Sequence, residues 1–230
     1  MRLSEPVKLI VLVPTKGRPG RAATTYETFL STAEHRDTWI EFILDDKDPL
    51  VDQYKVPSYT YPSGTMIQRT NMAAMGIVNS PFKIADIIGF AADDNLFVTP
   101  GWDCEVVAAF KQGHRIVNTN DMLVGDEKGG VFFFDARIVK SLGYLLLPSL
   151  GHLWADFAAT ELGKASSPYY KYLHQVIIEH EHPYTGKVPW DAQYREYNNP
   201  QQDAADRKAF YEWRNGEAFQ RDVAKVMFDV

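Results

Sequence analysis

Val7-Lys8-Leu9-Ile10-Val11-Leu12-Val13 is almost unbroken in apolar character and rich in β-branched residues. A strand that is apolar on both faces needs cover on both, and that means a largely parallel sheet between layers of helices. The run leads into Pro14-Thr15-Lys16-Gly17-Arg18-Pro19-Gly20, a loop of turn residues carrying two cations. A helix is expected from Arg21 to Thr32, with Ala22, Tyr26 and Phe29 near one face. Strand, polar loop and helix open a nucleotide-binding βα unit. The patterns G-x-G-x-x-G and G-x-x-x-x-G-K-[ST] are both missing, so neither a dinucleotide fold nor a P-loop is supported.

Two further apolar runs stop at carboxylates. Trp39 to Leu44 ends in Asp45-Asp46-Lys47-Asp48-Pro49, and Ala85 to Ala92 ends in Asp93-Asp94-Asn95, with Thr99-Pro100-Gly101-Trp102 beyond. In open α/β sheets ligands bind outside the carboxyl ends of the strands, so the two runs predict one shared acidic rim. Acids there can accept from a base N–H or a ribose hydroxyl, or hold a hard divalent cation together with a substrate's phosphates. Both sets read equally as solvated turns. Between them, Ser58–Tyr61 is a short strand before the turn Pro62-Ser63-Gly64. Thr65 caps a helix to Val78 whose face carries Met66, Ile67, Thr70, Ala73, Ala74 and Ile77. Gln68, Arg69 and Asn71 near its start could reach a phosphate or an acidic neighbour.

The second half predicts a helix from Gly101 to Gln112 and strands at Arg115–Val117 and Val131–Phe134 around a polar loop, Asn118 to Gly130. Asp135 caps a helix ending at Leu142. Leu150-Gly151-His152-Leu153-Trp154-Ala155-Asp156 leads into an apolar helix, where Asp156 also suits a helix N-terminus. Val176–Glu179 is a strand ending in His180-Glu181-His182. Histidines at i, i+2 on an extended chain point the same way, so either could reach a metal, and either could be structural. Pro189 to Asp203 reads as a loop or lid. From residue 201 to 230 a charged amphipathic helix, interruptible at Asn215-Gly216, packs Phe210, Trp213, Phe219, Val223 and Met227 onto a domain spanning 1–200.

Composition narrows the classes. The net charge of -6 over 230 residues gives no large basic surface for phosphate-driven nucleic-acid binding. Cys104 is the one cysteine, which excludes an intramolecular disulfide and a cysteine metal cluster. Met1–Pro6 carries a single basic residue, the Leu9–Val13 run is too short for a signal core, and no run approaches a membrane span. A cytoplasmic protein without membrane partners is expected.

Taken in order, these motifs resemble the GT-A glycosyltransferases, close to the inverting family 2, over roughly Val7 to Asp191. Pro14, Thr15, Lys16, Gly17 and Arg18 resemble that family's nucleotide-binding loop. Asp45 and Asp46 fall where its second-strand acid meets the nucleoside, and Gly64, Arg69 and Asn71 match its glycine, arginine and asparagine pattern. Asp93-Asp94-Asn95 resembles the D-x-D region, departing from it at the third position. Asp156 is similar to the catalytic base, and His180 or His182 to the late histidine of the metal shell. Compact phage enzymes that glycosylate modified DNA bases have a similar layout.

The resemblance implies a GT-A α/β fold and a metal-dependent, inverting sugar transferase. Its donor would be a nucleotide sugar, UDP-linked by expectation, and its cofactor Mn2+ or Mg2+. Asp93 would join the donor-binding residues, and Asp94, Asn95 and a histidine would hold the ion. The acceptor stays open, phage DNA included. A nucleotidyltransferase and a non-catalytic nucleotide-sugar or glycan-binding domain are the competing readings.

Overall fold

The computed structural model describes residues 6–62, 64–128 and 130–229. Most of the Met1–Pro6 start and Ser63 of the expected turn lie outside them. Eight strands form one sheet in the order β3-β2-β1-β4-β7-β6-β8-β5. They are β1 (Leu9–Thr15), β2 (Thr38–Asp45), β3 (Ser58–Tyr61), β4 (Ile87–Phe90), β5 (Asn95–Phe97), β6 (Ile116–Asn120), β7 (Phe132–Asp135) and β8 (Tyr170–His180). The half from β3 to β4 is parallel throughout. β7 runs antiparallel to both its neighbours, β6 and β8 pair in parallel, and β5 returns antiparallel on β8.

The alternation of side chains along β1 divides the core in two. Ile10 and Leu12 point into one layer. It is covered by α2 (Met66–Asn79), α5 (Ala136–Leu142), α6 (Ala155–Ala165), α8 (Pro200–Arg214) and α9 (Glu217–Phe228). Leu9, Val11 and Val13 point into the other, under α1 (Pro19–Thr32) and α3 (Trp102–Lys111). β1 is buried along its whole length, as its composition predicts. Gly89 sits opposite Phe133 in the β4–β7 pair, where a Cβ would come within 2.6 Å of the ring, so the glycine is a packing requirement.

Local signals act as expected in several places. Thr65 and Gln68 close a reciprocal capping box on α2, and the Asp135 side chain accepts the Arg137 N–H at the start of α5. Three expectations differ. The loop expected from Asn118 to Gly130 holds the end of β6 and the short helix α4 (Gly125–Lys128). The chain after Asp94 does not go straight from loop to helix but first forms β5. The stretch read as a loop from Pro189 to Asp203 contains α7 (Ala192–Tyr197) and the first turn of α8. Phe210, Trp213, Phe219 and Val226 of α8 and α9 belong to the same core as Ile10 and Leu12. No helix among the described residues is long and apolar enough to cross a membrane.

Candidate active site

Because β1, β2 and β4 are parallel neighbours, their carboxyl ends open on one rim. Thr15, the last residue of β1, donates its hydroxyl to Asp93 Oδ2 at 2.6 Å, and the Arg18 guanidinium approaches Asp93 Oδ1 at 3.2 Å. Burial and the adjacent Asp94 charge push the Asp93 carboxyl up to about 6, against the pull of Arg18 and Thr15. Arg18 also binds Asp191 Oδ1 at 2.7 Å and lies 4.0 Å from the centre of the Tyr194 ring. Burial disfavours its charge, but Asp93 and Asp191 outweigh that and hold it cationic. The loop's shape is set by Asp48. Its carboxylate accepts the N–H of Gly17, which sits in the left-handed region at φ +68, and the hydroxyl of Tyr54. Pro14, Thr15, Lys16 and Arg18 line the cleft.

Asp45 is 1% exposed and takes both Lys16 Nζ at 3.1 Å and Arg69 at 3.0 Å, so its carboxylate orders two cations of the rim. Arg69 and Lys16 line the cleft, whereas Asp45 lies behind them. Asp46, one residue on, is exposed and does not line the cleft. Asn71 does not line the cleft either. Its Oδ1 accepts the N–H groups of Leu145 and Leu146, and its Nδ2 donates to the Leu146 carbonyl, so it ties α2 to the segment after α5.

β5 is what joins the two halves of the chain at this site. Its register on β8 sets Asn95 opposite His180, and the Glu181 N–H donates to the Asp94 carbonyl. Asp94 Oδ1 then lies 3.2 Å from His180 Nε2, and Asp94 Oδ2 accepts the Tyr194 hydroxyl at 2.7 Å. Burial works against the Asp94 charge, but His180, Tyr194 and Arg18 prevail and hold its carboxyl well below the usual range. His180 moves the other way: burial alone would lower its pKa, and Asp94, with Asp121 and Asp156, raises it. Asn95 and His182 line the cleft too, but both are engaged locally. Asn95 Oδ1 accepts the Ala92 N–H at 2.6 Å, and His182 Nδ1 accepts the Tyr184 N–H at 3.3 Å.

Asp156, in the first turn of α6, lines the same cleft. Burial pushes its carboxyl up to about 6, offset in part by the Phe157 N–H, which it accepts at 2.8 Å. Trp154, two residues earlier, is a non-glycine residue in the left-handed region at φ +69. His152 stacks on Tyr197 at 4.3 Å, and its Nδ1 has no partner among the described residues. Burial lowers His152 to about 4, so the ring is neutral. His152, Tyr194 and Tyr197 line the cleft, and sequence reasoning assigned none of them. The available signal was the aromatic content of the polar stretch after Pro189.

The cleft encloses about 1110 Å3 of space, counting its open mouth. Whether it suits a divalent ion can be judged from its donors. No cluster of three or more His, Cys, Asp or Glu side chains among the described residues forms a complete cage. A hard divalent ion needs no such cage where one or two carboxylates share it with water and substrate phosphates. Asp94 Oδ1 is buried and out of line for a hydrogen bond with His180, which leaves it a spare lone pair. An anionic oxygen beside an imidazole fits the ion.

No family model matches the chain, and no curated protein matches it by sequence. Solved structures do. A mannosyltransferase, PcManGT from Pyrobaculum calidifontis in complex with GDP-Man and Mn2+, is 11% identical with a TM-score of 0.63, covering 96% of this chain and 69% of that one. S. aureus TarS 1-349 in complex with UDP is 12% identical with a TM-score of 0.54, over 75% of this chain and 59% of that one. Glucosyl-3-phosphoglycerate synthase from Mycobacterium tuberculosis, with Mn2+, UDP and phosphoglyceric acid, is 9% identical with a TM-score of 0.58, over 89% of this chain and 79% of that one. The chain has the GT-A fold of these glycosyltransferases, with the strand ends that carry Thr15, Asp45 and Asp93 on one rim.

Proposed function

We propose that the chain is a metal-dependent, inverting glycosyltransferase that moves a sugar from a nucleotide diphosphate to an acceptor hydroxyl. The observation that carries this reading is the convergence of Arg18, Asp93, Asp94 and His180 in a cleft that Asp156 also lines. Neighbours in fold are described with UDP, with GDP-Man and with Mn2+, which supports a nucleotide-sugar donor.

In this reading Lys16, Arg18 and Arg69 supply fixed positive charge for the donor's diphosphate, and Asp45 keeps two of them in place. Asp94 and His180 would hold the ion, with Asn95 and His182 beside them. When bound, a divalent cation neutralises charge gathering on the leaving diphosphate. Asp156 removes the proton from the acceptor hydroxyl. The freed oxygen bonds to the anomeric carbon from the face opposite the diphosphate, whose bond breaks with the electron pair leaving on the phosphate oxygen. One displacement inverts the configuration. Burial of Asp156 raises its basicity toward the task.

The test is thermal stability against a panel of nucleoside diphosphates and nucleotide sugars, with and without Mn2+. A ligand that binds only the folded state raises the melting point. A manganese-dependent rise for one nucleotide sugar, followed by transfer of its sugar by product mass, supports the proposal. A nucleotide on the product would make the chain a nucleotidyltransferase, binding without turnover a recognition domain, and no shift at all would leave the donor assignment wrong.

A further inference from the structure

Asp206 sits on α8 with 2% of its surface exposed, and among the described residues no Lys or Arg pairs with it. Its carboxylate accepts three consecutive backbone N–H groups: Gly151 at 2.6 Å, His152 at 3.0 Å and Leu153 at 2.7 Å. Gln202, one turn back, adds a fourth bond at 2.9 Å. One donor meets Oδ1 and three meet Oδ2, and bonds to a charged acceptor are among the strong ones. From the same face of α8, Asp203 accepts the Trp154 indole N–H at 2.9 Å. α8 therefore grips four successive residues, 151 to 154.

The fit is tight. A Cβ on Gly151 would lie 2.5 Å from Gln202 Nε2 and 3.3 Å from Asp206 Oδ1. The gripped segment ends on Trp154, whose left-handed backbone is a conformation that persists only where its surroundings over-determine it. Here its ring is packed against Phe157, Phe210 and Tyr211. The next two residues are Ala155 and Asp156. Among the described residues the Asp156 carboxylate accepts the backbone N–H of Phe157 and bonds no side chain. Its position in the cleft is thus inherited from the backbone that precedes it.

We infer that Asp206 is a positioning residue: from α8 it fixes the backbone of residues 151 to 153 and thereby aims Asp156 at the acceptor. This rests on the reading of Asp156 as the base. It makes α8 part of the chemistry and gives Asp206 a task outside the cleft, which it does not line. Loss of the clamp should lower turnover and leave donor affinity alone, because misplacing a reacting group by about 1 Å can cost on the order of a hundredfold in rate.

The test uses the full chain and the nucleotide sugar identified by the melting panel. Asp206→Asn puts an amide N–H against backbone donors, and kcat should fall at least tenfold while the donor's Kd stays within twofold. Asp203→Ala, at a half-exposed position where folding is safe, should lower kcat about threefold with the same unchanged Kd. Either variant with wild-type kcat, or an equal loss in kcat and donor affinity, would overturn the inference. Asp156→Asn run alongside separates the two claims. If it transfers at the wild-type rate, the base assignment fails and the Asp206 inference falls with it. If it is inactive while Asp206→Asn is not, only the inference falls.

Discussion

His180 Nε2 and Asp94 Oδ1 lie 3.2 Å apart although they come from opposite halves of the chain, because the three-residue strand β5 pairs with the end of β8. The contact has a direct consequence for metal dependence. Asp94→Asn keeps the shape but removes the negative charge, so manganese should no longer strengthen donor binding. Calorimetric titration with nucleotide sugar should show a Kd raised at least tenfold in Mn2+ and equal to that without it. An unchanged manganese effect would place the ion elsewhere.

Asp156→Asn should bind donor normally and transfer about 10²- to 10⁴-fold more slowly, the range for loss of a general base. In the unaltered protein the carboxyl titrates at about 6, so the rate should fall tenfold per pH unit below that value. A pH–rate profile flat down to pH 5 would remove Asp156 from the role.

The same residue should make the site a cost to stability. A carboxyl raised from the ordinary value to about 6 binds more protons folded than unfolded between those limits, so stability declines as pH rises through that window. Asp156→Asn escapes that decline. Its advantage should be absent below pH 3, grow from pH 4 to pH 6 and level off at about 1–2 kcal/mol, discounted for partial exposure. Urea melts across pH measure it.

Asp191 competes with any anion for Arg18. Replacing it with Asn removes the 2.7 Å ion pair and should tighten donor binding several-fold, with no change in the manganese requirement. Weaker binding would instead make Asp191 part of the donor site.

Asn71→Ala separates structure from binding. It leaves two N–H groups and one carbonyl of residues 145 and 146 without their partner, a loss of about 2–3 kcal/mol by chemical denaturation. Donor affinity should be unchanged.

The comparison of Asn71 with Thr65 explains what the sequence could reveal. Thr65 acts on its own helix, three residues away, so its role is local and readable. Asn71 meets a segment beyond α5, and nothing local says whether an amide faces a phosphate or a backbone. The same limit hid β5, since Asn-Leu-Phe is too short to show a period, and it hid Tyr194, whose partner Asp94 is distant in sequence. The apolar runs and their acidic ends were legible because burial on both faces of a strand leaves a compositional mark. Asp45 and Asp46 mark the resolution of that reading: it located the rim but not which of two adjacent acids turns inward.

The grip of α8 on residues 151 to 154 also orders events in time. A chain emerging from the ribosome N-terminus first can pair β1 with β2 and β4, and β2 with β3, as soon as β4 is out. His180 reaches Asp94 only after β8 is made, and Asp206 reaches Gly151 later still. The sheet's scaffold can thus assemble early while its chemistry waits, and a nascent chain would acquire a complete cleft only once α8 has followed β8 out.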